Sequence, residues 1–559
     1  MHHSERVFRV ACDALRASLP HTNAPDPMAP VSSSTTAAVR PRLRHRAVAW
    51  LCALVLAGQG VALPVAAQNA LPALGDTDSA EFTVATERKL GDEIMREIHV
   101  DPDYVDDPLL LEYLESVWQP LVAASRSLGN ITSDIDQRFA WQPFLVRDPS
   151  VNAFALPGGF VGVHLGLIAI TTSRDELASV LAHEMSHVTQ RHIARGITGD
   201  SKRTLVGIAA LILGLLAASR SSSPDAMNAV VAGTQAATIQ GALNFSREVE
   251  READRVGFQV MTNAGFAPGG MAAMFEKMDN SARLNDFGGF PYLRTHPLTL
   301  ERIGEARARA GIAPKSSRVS VLEHTVAQAR ARVLMDPRVD ALHRWQARDA
   351  DKEGNAADKL RAACESALAS SLLRDWARAD AAFQTALGIV RGSPNSSARA
   401  ERAVVLMQTQ SLLDRGAPGP AAEAMKAYAA DGSRPSMLLE AQIALIATPT
   451  LSPDSLTLKA RTSELQTWVA LHPDDSLAWS ALAQTWSRLG APLRSLRAEA
   501  ESRYALGDLL GAVDRLRAGQ RLARGGGPVD FIDLSVIDSR LRDIEVQRKQ
   551  IALDQHASR

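Results

Sequence analysis

The sequence predicts an α+β protein, mostly α, in which a mixed helix-and-strand domain precedes an α-helical solenoid. Three observations carry this expectation. Strand-like apolar runs are confined to residues 138–172. The second half is rich in Ala, Leu and Arg, and aromatics are only 5% of the chain, a composition that favours packed helices over sheets. Helical-hairpin patterns recur in that half with a period of about 34 residues. At 559 residues the chain is too long for one core, so two or more domains are expected. A net charge of −1 argues against a nucleic-acid partner and sets no preference for acidic substrates.

The first element is an export signal. Arg40, Arg42, Arg44 and Arg46 precede the apolar run Ala47–Ala57, which is too short to span a bilayer. Val65-Ala66-Ala67 then supplies small residues before a cut. Residues 1–67 are therefore expected to be a signal peptide with an extended leader, the mature chain beginning near Gln68; an uncut anchor is the competing reading. Cleavage removes Cys12 and Cys52 and leaves Cys364 alone, which excludes an internal disulfide and a thiolate metal site. Within RAACESAL, Cys364 reads as a small buried helix residue.

Residues 80–126 carry two helical patterns. FAWQPFLV and NAFALPGGFVGVHLGLIAI follow as strand-like runs, broken at Pro157-Gly158-Gly159. The next helix is capped by Ser173, with Glu176 three residues on completing a capping box. Leu177, Val180, Leu181 and Val188 share its apolar face.

That helix carries VLAHEMSHVTQRH. His183 and His187 are four residues apart and stand on one face about one turn from each other. Two imidazoles so placed can grip one tetrahedral Zn²⁺, which lowers the pKa of a bound water to about 7. Glu184 projects beside them, close enough to take that water's proton and later pass it to a leaving amine. A third ligand is available in NFSREVEREADRVG, where Ser246 caps a second helix. Glu250 and Asp254 share a face there, and Asp254 can accept a hydrogen bond from a ligand imidazole. Spacing alone does not choose between Glu248, Glu250 and Glu252, and a solvated charge run is the competing reading.

VLAHEMSHVTQRH followed by SREVEREADRVG resembles the M48 family of zinc metallopeptidases. NAFALPGGFVGVHLGLI resembles that family's strand segment leading to the catalytic helix, and RTHPLTLERI its downstream His-Pro motif. The resemblance covers roughly residues 80–310, four motifs in order. It implies a zincin-like metallopeptidase domain over residues 68–334, with His183, His187 and Glu250 as ligands to one Zn²⁺ per chain. A branch of the family that joins this domain to tetratricopeptide repeats is periplasmic and acts in quality control of outer-membrane proteins. The expected partners are therefore unfolded or misfolded outer-membrane proteins and their assembly machinery, and the expected place is the periplasm, at the outer-membrane surface.

Three further expectations attach to this domain. A substrate can add as an extra strand to an edge strand beside the metal. The candidate strand is Phe160, Val161, Gly162, Val163 and His164, with Asn152 ahead of it; His164 reads as a pocket-wall or surface residue rather than a ligand. The apolar stretch Leu205–Ala218 is short of a membrane span and reads either as a buried helix or as a peripheral membrane contact. His296, which the resemblance draws to the cleft, has two open roles. It can donate to the oxyanion of the reaction, or fill the fourth zinc position as a latch, with Gly288-Gly289 upstream as a flexible joint. The latch is favoured, because exposed zinc hydroxide is hazardous among unfolded clients.

The C-terminal elements are repeats over residues 335–525. SLLRDWARADAAFQTAL and RYALGDLLGAVDRLRAGQ each place a tight turn, at Arg374-Asp375 or Gly507-Asp508, between helix patterns. SLLDRGAPGPAAEAMKAY is a third copy, and SLAWSALAQTWSRLGAPLRSLRAEA has the Trp, Leu-Gly and Ala positions of a tetratricopeptide unit. Residues 526–559 add a last helix. Solenoids present a concave surface to protein partners. The functional alternative to a protease is therefore a repeat-based chaperone or assembly-binding protein with a latent or silent metal site.

Overall fold

The computed structural model describes residues 83–196, 246–284, 292–312, 321–350, 353–393, 398–428, 430–524 and 530–557. Residues 1–67, expected to be a signal peptide, Leu205–Ala218 and Gly288-Gly289 lie outside them. The architecture is α+β and mostly α. The N-terminal part runs α1 (Val84–His99), β1 (Tyr104–Val105), α2 (Pro108–Ser127), α3 (Ser133–Arg138), β2 (Gln142–Val146), β3 (Ala153–Leu156) and β4 (Phe160–His164). It continues with α4 (Leu165–Ile170), α5 (Arg174–Thr189), α6 (His192–Gly196), α7 (Arg247–Asn263), α8 (Gly269–Leu284), α9 (Tyr292–Thr295), α10 (Leu300–Ile312) and α11 (Val321–Leu334).

The four-stranded sheet has the order β1-β2-β4-β3. β2 and β4 are parallel, and β3 and β4 form an antiparallel hairpin with Leu156 opposite Phe160. Gly158 and Gly159 turn this hairpin at φ of 79° and 86°, a conformation that costs glycine little. β4 is thus a central strand and buried throughout, which corrects the expectation that Phe160, Val161, Gly162, Val163 and His164 form an edge. Alternation of apolar residues marks a strand but does not encode its neighbours, and β3 takes the edge position. Gly162 packs under its neighbour: a Cβ there would stand 2.3 Å from the ring of Phe154.

α5 begins where Ser173 Oγ accepts from the Glu176 N–H at 3.1 Å. The Glu176 carboxylate accepts from the N–H and hydroxyl of Thr172 and pairs with Lys277, so the expected capping box is completed one residue early. Leu177, Val180, Leu181 and Val188 are buried, and so is the rest of the helix from Glu176 to Thr189. α2, with Leu114, Val117, Trp118 and Leu121 fully buried, belongs to the same core.

The second half continues as helices: α12 (Val339–Gln346), α13 (Ala356–Leu372), α14 (Trp376–Gly392), α15 (Ala398–Asp414), α16 (Pro418–Met425) and α17 (Arg434–Ala447). They are followed by α18 (Leu456–Leu471), α19 (Ser476–Arg488), α20 (Pro492–Ala505), α21 (Leu509–Arg524) and α22 (Phe531–Ala557). Arg374, Gly416, Gly490 and Gly507 take positive φ between consecutive helices, and Asp375 caps α14 by accepting from the Arg378 N–H. Cys364 is buried in α13, where burial pushes its thiol pKa up. α11 is shared: Ala327 and Ala331 belong to the N-terminal core, while Leu322, Val326, Ala329 and Val333 pack with α13, α14 and α15. Arg330 on the same helix makes a buried bidentate pair with Asp107, the cap of α2. No helix among the described residues is long and apolar enough to cross a membrane.

Candidate metal centre

α5 carries His183, Glu184 and His187, and α7 crosses it closely. The contact is at Gly257, where a Cβ would lie 3.0 Å from the backbone of Ala182. Glu250, Ala253, Asp254 and Gly257 therefore form the buried stripe of α7. Glu248 faces solvent, and Glu252 is partly buried on another side.

His183 Nε2 lies 3.0 Å from His187 Nε2 and 3.4 Å from Glu250 Oε2, and His187 Nε2 lies 3.5 Å from Glu250 Oε1. His296, at the end of α9, joins them: its Nδ1 is 2.9 Å from Glu250 Oε1 and 3.4 Å from His183 Nε2. The four donor atoms all lie within 4.8 Å of one another, in side chains that are fully buried. A tetrahedral ion with bonds of about 2.0–2.1 Å requires donor separations of about 3.3 Å, so three imidazoles and one carboxylate at these distances fit a zinc-like cation.

Asp254 Oδ1 lies 2.9 Å from Nδ1 of His183, the nitrogen facing away from the donor set. Arg302 backs this carboxylate with two hydrogen bonds, of 2.7 and 2.9 Å. It also donates to the Pro297 carbonyl and lies 2.8 Å from Glu250 Oε2 in an ion pair. On the other side, His192 Nδ1 lies 2.8 Å from His187 Nδ1, and His192 Nε2 lies 3.2 Å from Glu252 Oε2. Arg195 then pairs with Glu252 at 2.9 Å.

Glu184 is held from the sheet. Its Oε2 accepts from the Ala155 N–H of edge strand β3 at 3.1 Å, while Oε1 is buried with no hydrogen-bond partner among the described residues, 3.6 Å from His296 Nε2. Tyr292 stacks on His296 with ring centroids 4.6 Å apart. Burial raises the Glu184 carboxyl above its usual range, against the charges of His296 and His183. Burial alone would lower His183, but Glu250 and Asp254 hold it up at about 10. Glu250 is opposed by burial in the same way, yet His296 and His183 keep it well below the carboxylate range. Burial, helped by the charge of Arg195, holds His192 down at about 4.

The structure thus brings together His183, Glu184, His187, Glu250, Asp254 and His296. His164 lies elsewhere, with Nδ1 3.0 Å from Ser150 Oγ and 3.7 Å from Asp148, and its ring edge-on to Phe154. The Asn152 carbonyl accepts from the His164 N–H. Reading the sequence missed Ala155, His192, Tyr292 and Arg302, and it weighed Glu252 only as a ligand, not as the partner of His192. His192 and Arg302 stand inside the two motifs, five residues after His187 and six after His296, but a role for either depends on partners distant in the chain.

Residues 121–310 match the family model described as Peptidase family M48. The chain is 36% identical over 249 residues to the beta-barrel assembly-enhancing protease of Yersinia pestis, covering 44% of this chain and 48% of that protein. It is 34% identical over 274 residues to the beta-barrel assembly-enhancing protease of Escherichia coli K12, covering 48% and 53%. It is also 29% identical over 197 residues to the mitochondrial metalloendopeptidase OMA1 of Saccharomyces cerevisiae, covering 34% and 53%. The chain spans about half the length of the curated relatives it matches. The donor residues of α5 and α7 lie inside residues 121–310, the part of the chain that is similar to Peptidase family M48.

Proposed function

We propose that this protein is a zinc endopeptidase that hydrolyses peptide bonds of misfolded or stalled outer-membrane proteins in the periplasm. The observation that carries the reading is the buried donor set of His183, His187 and Glu250 with Glu184 beside it. Zinc held there would supply Lewis-acid polarisation of the scissile carbonyl and of a water molecule. Glu184 takes the proton of the attacking water at Oε1 and returns it to the leaving amine. The Ala155 N–H orients this carboxylate through Oε2. An extended peptide pairs with edge strand β3 beside the Ala155 N–H that Glu184 occupies, which reads extension rather than sequence and suits unfolded clients. The names of the bacterial relatives support the choice of client and a part in outer-membrane protein assembly.

His296 is the latch in this reading. Its Nδ1 lies among the donors, so its imidazole would hold the fourth position of a bound ion, and a client that displaces His296 would open the site. The chain divides into the peptidase domain to residue 334, helical repeats to 525 that bind the client or the assembly machinery, and a C-terminal helix. Metal analysis paired with casein cleavage tests the reading. The parent should hold one zinc and cleave, and Glu184→Gln should hold zinc and not cleave. Equal cleavage by the two sinks the protease assignment. His296→Ala should raise basal proteolysis, and a large fall in rate sinks the latch.

A further inference from the structure

We propose that His192 is a positioning residue for the metal centre: it accepts the Nδ1 proton of His187, which turns the Nε2 lone pair of His187 toward the ion. The inference rests on the metal-site reading above.

The two Nδ1 atoms are 2.8 Å apart, so one must donate and the other accept. Nε2 of His187 faces the donor set, 3.0 Å from Nε2 of His183 and 3.5 Å from Glu250 Oε1. A proton on that Nε2 would stand where the ion belongs. The proton of His187 is therefore on Nδ1, and Nδ1 of His192 is the acceptor. The proton of His192 is then on Nε2, 3.2 Å from Glu252 Oε2, which can only accept. Arg195 holds that carboxylate at 2.9 Å. One assignment satisfies every pair in the chain from His187 to Arg195.

The backbone is arranged for this contact. α5 stops at Thr189, and Arg191 turns the chain at a φ of 51°, which is uncommon for a residue with a side chain. Arg191 is fixed there by a 3.0 Å pair with buried Glu87 of α1. The turn brings the ring of His192 back against His187, centroids 4.8 Å apart at 74°. Glu252 comes from α7, the helix that supplies Glu250, so the relay ties the end of the ligand helix to the helix of the third ligand.

The experiment uses the full chain and measures Zn²⁺ affinity by competition with a chelator. The visible spectrum of the Co²⁺-loaded protein serves as a second signature. His192→Phe removes the acceptor but keeps a ring, and should weaken zinc by roughly 10- to 100-fold and change the Co²⁺ bands. His192→Gln restores an acceptor oxygen and should recover most of the loss. Glu252→Gln should lose less than His192→Phe but more than Glu248→Gln, which should match the parent. A folded His192→Phe that holds zinc within about twofold of the parent overturns the proposal, as does His192→Gln as weak as His192→Phe. Should His192→Phe not fold, Glu252→Gln decides, and parent-like affinity with an unchanged Co²⁺ spectrum overturns it. The metal-site reading fails separately: a parent that takes up no zinc, or a His187→Ala variant that keeps it, removes that reading and this inference with it.

Discussion

His183 and His187 stand one turn apart on the same helix, yet their outward nitrogens are held differently. His183 meets a carboxylate directly, and that carboxylate meets a buried arginine. His187 meets a second imidazole first, and its carboxylate and arginine lie at the surface. Side-chain exposure is 3% for both Asp254 and Arg302, against 29% for Glu252 and 44% for Arg195. The same order of imidazole, carboxylate and guanidinium thus occurs once in low dielectric and once near water, where screening weakens each pair. The His183 side should carry most of the stability, and the His187 side should tune the ion with little effect on folding.

The largest contrast separates ligands from the proton acceptor. Glu250→Gln and His187→Ala should lose zinc altogether, while Glu184→Gln keeps it and loses about 10²- to 10⁴-fold in turnover. One equivalent of tightly held zinc in Glu250→Gln would break the ligand assignment. Next is Arg302→Met, which strands Asp254 and Glu250 as buried charges and should cost about 3–5 kcal/mol in unfolding free energy. Denaturant titration checks it, and a loss under about 1 kcal/mol would erase the difference between the two sides.

A third buried imidazole sharpens the point. His324 accepts from the Tyr113 hydroxyl and donates to the Thr171 carbonyl, with no carboxylate among its hydrogen-bond partners in the described residues. Burial lowers it to about 4, while Glu250 and Asp254 raise His183 to about 10. Its folded state favours the neutral ring, so its contribution is complete above about pH 6.5 and is lost as pH falls toward 4. That contribution is about 3 kcal/mol at most. Melting curves of the parent and His324→Gln between pH 7 and pH 4 should converge on acidification, and parallel curves would refute it. Asp254→Asn should weaken zinc by roughly 10- to 100-fold. The smallest effect is expected for Arg195→Ala, at most about 1 kcal/mol. A loss there equal to that of Arg302→Met would mean that the two sides do not differ.

Much of the local structure was legible because its causes are local. The spacing of His183 and His187 puts both rings on one helical face, the Ser173 and Ser246 caps start their helices, and Gly158-Gly159 turns a hairpin. The choice among Glu248, Glu250 and Glu252 also had a local signal that went unread: Ala253 and Gly257, three and seven residues after Glu250, mark the face of α7 that can approach another helix. The edge strand had no such signal. β3 is apolar at all four positions, yet it lies at the edge and β4 in the centre, because strand order follows from pairing with β2 and not from either strand's own pattern.

By itself, then, the sequence determined the α+β class, the helical second half, the helix that bears the histidine pair and the motifs that fill the centre. Short-range sterics and hydrogen bonding suffice for those. Only the tertiary structure decided that Ala155 steers Glu184, that Arg302 backs Asp254, that His296 enters the donor set, and that the left-handed turn at Arg191 returns His192 to His187. The first three join residues 29 to 48 positions apart. The His192 contact spans five positions, yet the ring is anchored by Glu252, 60 positions away, and its turn by Glu87, 104 positions from Arg191. A contact at such separation is specified by how whole helices and strands pack, and no window of neighbouring residues contains that information.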